Sequence, residues 1–354
     1  MNKKVRFGFS VYVSSYEQQK PFLQQIESED VYIFTSLHIM EEAEDKTSYK
    51  QSIIDMLNEL KAFGFNIIAD ISQRTLELFG CKTMVELKNT LDIDVIRVDY
   101  GFTQEQIQEA MEEIDIAVNA STLKPDMMAA LSKAGKKPLA IHNYYPRQET
   151  GLECSFFQGK NQQLRLCGYD IAMFIAGDNA RRGPIFDGLP TLEHQRNIAP
   201  YVSFIEAANQ YSMDLVLLGD LNMDMTQVQW IMDYIHHGII SVPIHLESQY
   251  TKLYDKEYTI REDSGAYAFR FLESREYSTN SGMKIEQDNC IKREQGALTI
   301  DNHLYKRYSG EMQLVYKALE ADHRVNVIGQ LDDAYIRLVG MIQRGDRLRL
   351  VRRK

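Results

Sequence analysis

Four carboxylates stand at or just past the ends of short apolar runs: Asp70, Asp99 and Asp220 at run ends, and Glu41 in the segment after Ser36. Like charges gathered in a partly dry cleft raise one another's pKa, so one carboxyl stays protonated while a neighbour is ionised. Cleavage of a glycosidic bond needs such a pair. One group protonates the leaving oxygen, and the other attacks the sugar at ~5 Å separation or activates water at ~6.5 to 9.5 Å. Asn119, His142 and Asn143 stand at further run ends, with Tyr144 and Arg147 just beyond, and offer hydrogen bonds, a stacking face and a cation. A single strand-end Asp commonly caps a helix, and a lone His commonly sits in a core bonded to backbone. Four carboxylates together fit capping less well.

The elements that must hold these residues repeat. Apolar, β-branched runs at 5–13, 31–35, 66–71, 95–98, 115–119, 137–142, 171–176 and 214–219 alternate with amphipathic stretches. In one of these, 49–63, Ile53, Ile54, Leu57, Leu60 and Phe63 recur at helical spacing; another spans 226–235, and Gly64 and Gly238 read as helix stops. Eight such units in about 240 residues predict a (β/α)8 TIM barrel, and no G-x-G-x-x-G follows the first run. In that fold the active site forms at the C-terminal strand ends, where the named residues fall. The loop 177–194 after the seventh strand is expected to bind phosphate, with Arg181 and Arg182 as the fork and Thr191 as a helix N-cap. Met40, Met223 and Met225 read as packing or rim.

Past Gly238 the texture changes to short strands at 239–246, 258–260, 266–271, 297–300 and 325–328, with Asp301-Asn302 as a tight turn and 347–354 as a last strand. This predicts a small antiparallel all-β domain at 241–354 after a barrel domain at 1–240, with no Gly/Ser-rich linker between them. Residues 241–354 carry net +2 and the first 240 carry −12, within a total of −10. An acidic chain repels phosphate backbones, so nucleic acid is not an expected partner. The start is too polar for a signal peptide, and no 18-residue apolar run occurs, so a cytoplasmic protein off the membrane is expected. Cys81, Cys154, Cys167 and Cys290 lack metal-site spacing and read as reduced thiols without a catalytic role.

Longer strings carry a resemblance: Phe7-Gly8-Phe9-Ser10-Val11-Tyr12, Phe34-Thr35-Ser36-Leu37-His38-Ile39, Ala69-Asp70-Ile71-Ser72, Arg97-Val98-Asp99-Tyr100-Gly101-Phe102, His142-Asn143-Tyr144-Tyr145-Pro146-Arg147, Thr150-Gly151-Leu152 and Gly188-Leu189-Pro190-Thr191-Leu192-Glu193. Later come Glu273-Ser274-Arg275, Ile300-Asp301-Asn302, Arg307-Tyr308 and Gly310-Glu311. With these the chain resembles the 6-phospho-N-acetylmuramidases, glycoside hydrolases, over nearly its whole length. The resemblance implies a TIM barrel followed by a cyclophilin-like β-barrel. It also implies cytoplasmic hydrolysis of the β-1,4 bond between N-acetylmuramic acid 6-phosphate and N-acetylglucosamine in peptidoglycan recycling, without a cofactor. Met40 and the 185–187 stretch depart from the family pattern at the rim. The carboxylate pair is expected to be Asp99 with Asp70 or Glu41. Asn119, His142, Asn143 and Asp220 are expected to orient the sugar, Tyr144 to stack on it, and Arg147, Arg181, Arg182 or Arg275 to meet its charge. The second domain either covers the mouth or forms a homodimer surface.

Three other readings compete. A Schiff-base aldolase needs a lysine at a strand end, and Lys137 lies at a strand start. A divalent-metal sugar-phosphate isomerase or epimerase would use Glu41, Asp70, Asp99, Asp220 and His142 as ligands. A phosphosugar-binding protein would bind without turnover.

Overall fold

The computed structural model describes residues 5–26, 30–37, 46–276 and 284–352. Two compact units divide the chain, Met1–Asp224 and Met225–Lys354.

In the first unit, eight parallel strands close on themselves: β1 (Arg6–Ser10), β2 (Val31–Ser36), β3 (Asn66–Ile71), β4 (Val95–Val98), β5 (Asp115–Asn119), β6 (Leu139–Ile141), β7 (Asp170–Ile175) and β8 (Leu215–Leu218), with β8 paired to β1. Successive strand side chains face opposite ways. One set, including Phe34, Ile68, Ala117, Ile141, Phe174 and Leu217, fills the barrel, and the other packs on the helices. A Cβ at Gly8 would lie 2.2 Å from the Tyr32 carbonyl oxygen, so only glycine lets β1 approach β2 this closely. The 49–63 pattern falls in the helix Lys46–Ala62, and Gly64 follows it with φ 86°. No helix of the described residues is long and apolar enough to cross a membrane.

The second unit opens with the helix Met225–His237, which stops at Gly238 with φ 66°. A seven-stranded curled sheet follows, β9 (Ile239–Leu246), β10 (Glu257–Thr259), β11 (Ala268–Arg270), β12 (Ala297–Asp301), β13 (Met312–Val315), β14 (Val325–Leu331) and β15 (Arg347–Val351), in the order β10-β15-β9-β14-β12-β13-β11. Two expectations change here. The sheet is mixed rather than antiparallel, because β15 returns alongside β9 in the same direction; hairpin logic reads only sequence-adjacent pairing and cannot see such a return. Asp301-Asn302 is not a tight turn. Asp301 closes β12, and the Asn302 side chain accepts from the Leu304 N–H at 3.1 Å, capping the 3-10 turn His303–Tyr308.

Burial beside Glu311 and Asp322 pushes the Asp301 carboxyl up to about 7. Between its ordinary value of 3.8 and that point the folded chain holds the extra proton, so stability falls as pH rises through this window. Melting is therefore expected at higher temperature near pH ~5 than near pH ~8, with Asp301→Asn narrowing the gap by a few degrees. An unchanged gap in a folded Asp301→Asn protein would contradict this.

Candidate active site

The inward parity that fills the barrel continues one layer upward and turns polar. Two residues beyond the core positions Phe34, Ile68, Val95, Ala117 and Ile141 stand Ser36, Asp70, Arg97, Asn119 and Asn143. Asp70 and Arg97 are register partners on β3 and β4, and both are buried. Arg97 Nη1 donates to Asp70 Oδ1 at 2.7 Å, while Nη2 donates to Asn143 Oδ1 at 2.7 Å. One guanidinium thus joins three strand ends, with its Cζ 5.9 Å from the Phe34 ring centre. Asp99, on the same parity one layer higher, is exposed, and its backbone N–H donates to the Ile71 carbonyl at 3.2 Å.

Beside this row lies a cavity of about 790 Å³, lined among others by Tyr12, Ser15, Ser36, Tyr144, Arg181 and Arg182. The Tyr12 and Tyr144 hydroxyls are 3.0 Å apart, and the Tyr144 ring meets Phe174 edge-on. Burial, with Tyr144 and Asp70 nearby, drives the Tyr12 hydroxyl well above its ordinary value of 10.0, so it remains a neutral donor. Arg181 spends Nη2 on the Arg196 carbonyl and the Asn197 side chain, and among the described residues no hydrogen bond engages its Nη1 or Nε. Among the described lining residues, Arg181 is the cation with donors left over for a ligand.

Several expected residues are placed elsewhere. His142 does not reach the mouth: its parity turns it onto the helix Cys154–Leu166, where Nδ1 meets Ser121 Oγ at 3.0 Å and Nε2 meets Asn161 Oδ1 at 2.7 Å. Burial lowers it to about 4, so it is a neutral core residue at ordinary pH. Asp220 orients loop backbone rather than sugar. Its oxygens accept from the N–H groups of Gly177, Arg182 and Leu189 at 2.8, 2.9 and 3.1 Å. Arg182 is spent as well, on the Gly219 and Ser10 carbonyls and on Ser15 Oγ at 2.5 Å, with its guanidinium 4.4 Å above the Tyr12 ring. It pins the 177–194 loop to β1 instead of forking a phosphate. Thr191 caps no helix; its hydroxyl bridges the Asn143 carbonyl and the Phe174 N–H. Asn119 keeps its place in the inward row, with its Oδ1 accepting from the Ser121 N–H at 3.0 Å, and Arg147 is exposed and does not line the cavity. Glu41 and the Arg275 side chain lie outside the described residues.

Arg97 and Tyr12 were not singled out from sequence as site residues. The signal for Arg97 was an arginine in Val-Ile-Arg-Val at an inward position, where a charge needs a buried partner. Nearby, Glu193 holds the loop edge by accepting from the Glu149 and Gly151 N–H groups and from Arg196, which brings it down to about 2. Among the described residues no cluster of three or more His, Cys, Asp or Glu side chains is placed to share a metal ion. Two of the five ligands required by the metal reading, His142 and Asp220, are committed to other bonds.

Similarity to known proteins agrees with this architecture. A conserved Enterococcus faecalis protein of unknown function is 31% identical, with a TM-score of 0.84 over 98% of this chain and 96% of its own. An uncharacterized B. cereus protein is 21% identical, with a TM-score of 0.78 over 98% and 99%, a likeness of fold. Among curated proteins none matches. The family described as 6-phospho-N-acetylmuramidase matches in both halves, its N-terminal part over residues 7–232 and its C-terminal part over 240–351. With both parts of the family present in order on a closed barrel and a second sheet, the chain belongs to the 6-phospho-N-acetylmuramidases and is a glycosidase.

Proposed function

We propose that the barrel mouth hydrolyses the β-1,4 bond between N-acetylmuramic acid 6-phosphate and N-acetylglucosamine, as a cytoplasmic step of peptidoglycan recycling. The observation that carries this reading is the buried Asp70–Arg97 pair, tied to half-buried Asn143, beside a cavity lined by Arg181 and several hydroxyls. Ion-paired Asp70 supplies the ionised carboxylate that acts as nucleophile or base. Exposed Asp99, or Glu41, supplies the acid for the leaving oxygen. Asn143 and Tyr144 orient the sugar, and Arg181 meets its phosphate. The second unit's cyclophilin-like character belongs to the same reading.

The test is mass spectrometry of the protein incubated with the 6-phosphorylated disaccharide and with its unphosphorylated form, each with and without chelator. Cleavage of the phosphorylated sugar alone, insensitive to chelator, is expected. No cleavage of either would overturn the substrate assignment and bring the metal-dependent isomerase and the phosphosugar-binding readings forward, while loss of cleavage in chelator would show that the hydrolysis itself needs a divalent metal. Arg181→Met is expected to raise KM for the phosphorylated sugar by ~10- to 100-fold with kcat little changed, since a remote charge contact is lost equally from ground and transition states. A fall in kcat at constant KM would move Arg181 out of the phosphate role.

A further inference from the structure

Away from the cavity lining, the first unit holds a second group of reactive side chains that the glycosidase reading does not use. Cys154 is the first residue of the helix Cys154–Leu166, and its Sγ lies 3.3 Å from His194 Nδ1. His194 Nε2 lies 3.0 and 2.9 Å from the two oxygens of Glu206, which is buried and also accepts from Gln195 Nε2 at 2.6 Å and from the Tyr211 hydroxyl at 3.5 Å, a hydroxyl that itself lies 3.7 Å from Cys154 Sγ. A carboxylate can only accept, so the His194 proton sits on Nε2 and the Nδ1 lone pair faces the sulfur. Nucleophile, base and orienting carboxylate stand in series at hydrogen-bonding distances, the arrangement that activates a thiol. The helix start adds partial positive charge at the sulfur. Access is open to small reagents: Cys154 is half-buried and the His194 side chain is 30% exposed.

We propose that Cys154 is a nucleophilic thiol, activated by His194 and oriented through Glu206, that exchanges with low-molecular-weight disulfides. His194 Nδ1 takes the Sγ proton, and the sulfur attacks one sulfur of the disulfide. The S–S bond of the reagent breaks as the mixed disulfide on Cys154 forms. The departing thiolate takes the proton back from His194, so the incoming disulfide is the only oxidant. Cys81, Cys167 and Cys290, equally half-buried, have no histidine ring at hydrogen-bonding distance among the described residues and serve as internal references.

The experiment follows alkylation of all four cysteines in the native protein by limiting iodoacetamide, read by peptide mass mapping near pH ~6 and ~8.5, where an ordinary thiol is mostly protonated or about half ionised. At the lower pH Cys154 is expected to label at least ~10-fold faster than the other three. His194→Gln is expected to erase that advantage at low pH while leaving Cys81 unchanged, and Glu206→Gln to reduce it. With hydroxyethyl disulfide, the first adduct is expected on Cys154. Labelling of Cys154 no faster than the reference cysteines in the native protein would overturn the proposal whether or not the variants fold. An unchanged Cys154 rate in folded His194→Gln would overturn it too.

Discussion

Asp70→Asn is expected to lower kcat/KM on the phosphorylated disaccharide about a thousandfold or more, with the barrel still folded. The size of the loss follows from the role. An ionised carboxylate that attacks the anomeric carbon, or takes a proton from the attacking water, acts only in the transition state, so its removal lowers kcat rather than raising KM. The fold survives because an Asn side chain keeps an oxygen that can accept from Arg97 Nη1 where Asp70 Oδ1 now does, at 2.7 Å. Asp99→Asn is the companion measurement. If Asp99 is the acid, its loss is smaller on substrates with good leaving groups, which need little protonation, whereas Asp70→Asn spares none of them. Comparing an aryl glycoside with the disaccharide separates the two roles. An Asp70→Asn protein with the wild-type melting temperature and kcat within tenfold of wild type would remove Asp70 from the catalytic pair, and Glu41 would take its place beside Asp99.

The architecture was readable because each barrel strand is buried on both faces, so apolar runs stand out from the helical stretches between them. All eight fall where they were expected, within a few residues at each end. The site was less readable for one identifiable reason. Position at a strand end selects residues near the mouth, but the period-two alternation decides which of them face inward. His142 follows inward Ile141, so it faces the helix layer, and Asp220 shares the parity of Val216 and Leu218 and holds loop backbone. Asp70, Arg97 and Asn143 all have inward parity and meet there. Parity could have been applied to the sequence alone. The fate of Arg181 and Arg182 could not, since neighbours in a loop follow no period, and only the fold shows one pinned by Ser10, Ser15 and Gly219 while the other stays accessible. The Cys154–His194–Glu206 series was equally hidden, because its members lie 40 and 12 residues apart and meet only when the helix Cys154–Leu166 and the segments after β7 pack together.

Arg97→Met is expected to destabilise the barrel unit by about 3–5 kcal/mol, more than any other single substitution considered. Arg97 is the counter-charge to a buried carboxylate and the donor that ties β4 to Asn143. Removing it takes the nearby counter-charge from a buried carboxylate, and breaking a buried pair by removing one partner costs more than its hydrogen bonds contribute. Met restores most of the apolar stem volume, so the loss is electrostatic rather than a cavity effect. A double-mutant cycle isolates it. If the penalty is the broken charge pair, Asp70→Asn combined with Arg97→Met recovers much of the loss, because the carboxylate that needed the counter-charge is gone. If the two losses simply add, Arg97 acts by packing against Phe34, 5.9 Å away, and the ion pair is not what holds the layer. Arg97→Lys refines the point, since a single ammonium cannot reproduce the planar fork that reaches Asp70 and Asn143 at once. It is expected to keep part of the stability, read from urea midpoints, and to lose activity nearly as fully as Arg97→Met. Stability then tracks the charge and activity tracks the geometry, which is the distinction that makes Arg97 a positioning residue for Asp70.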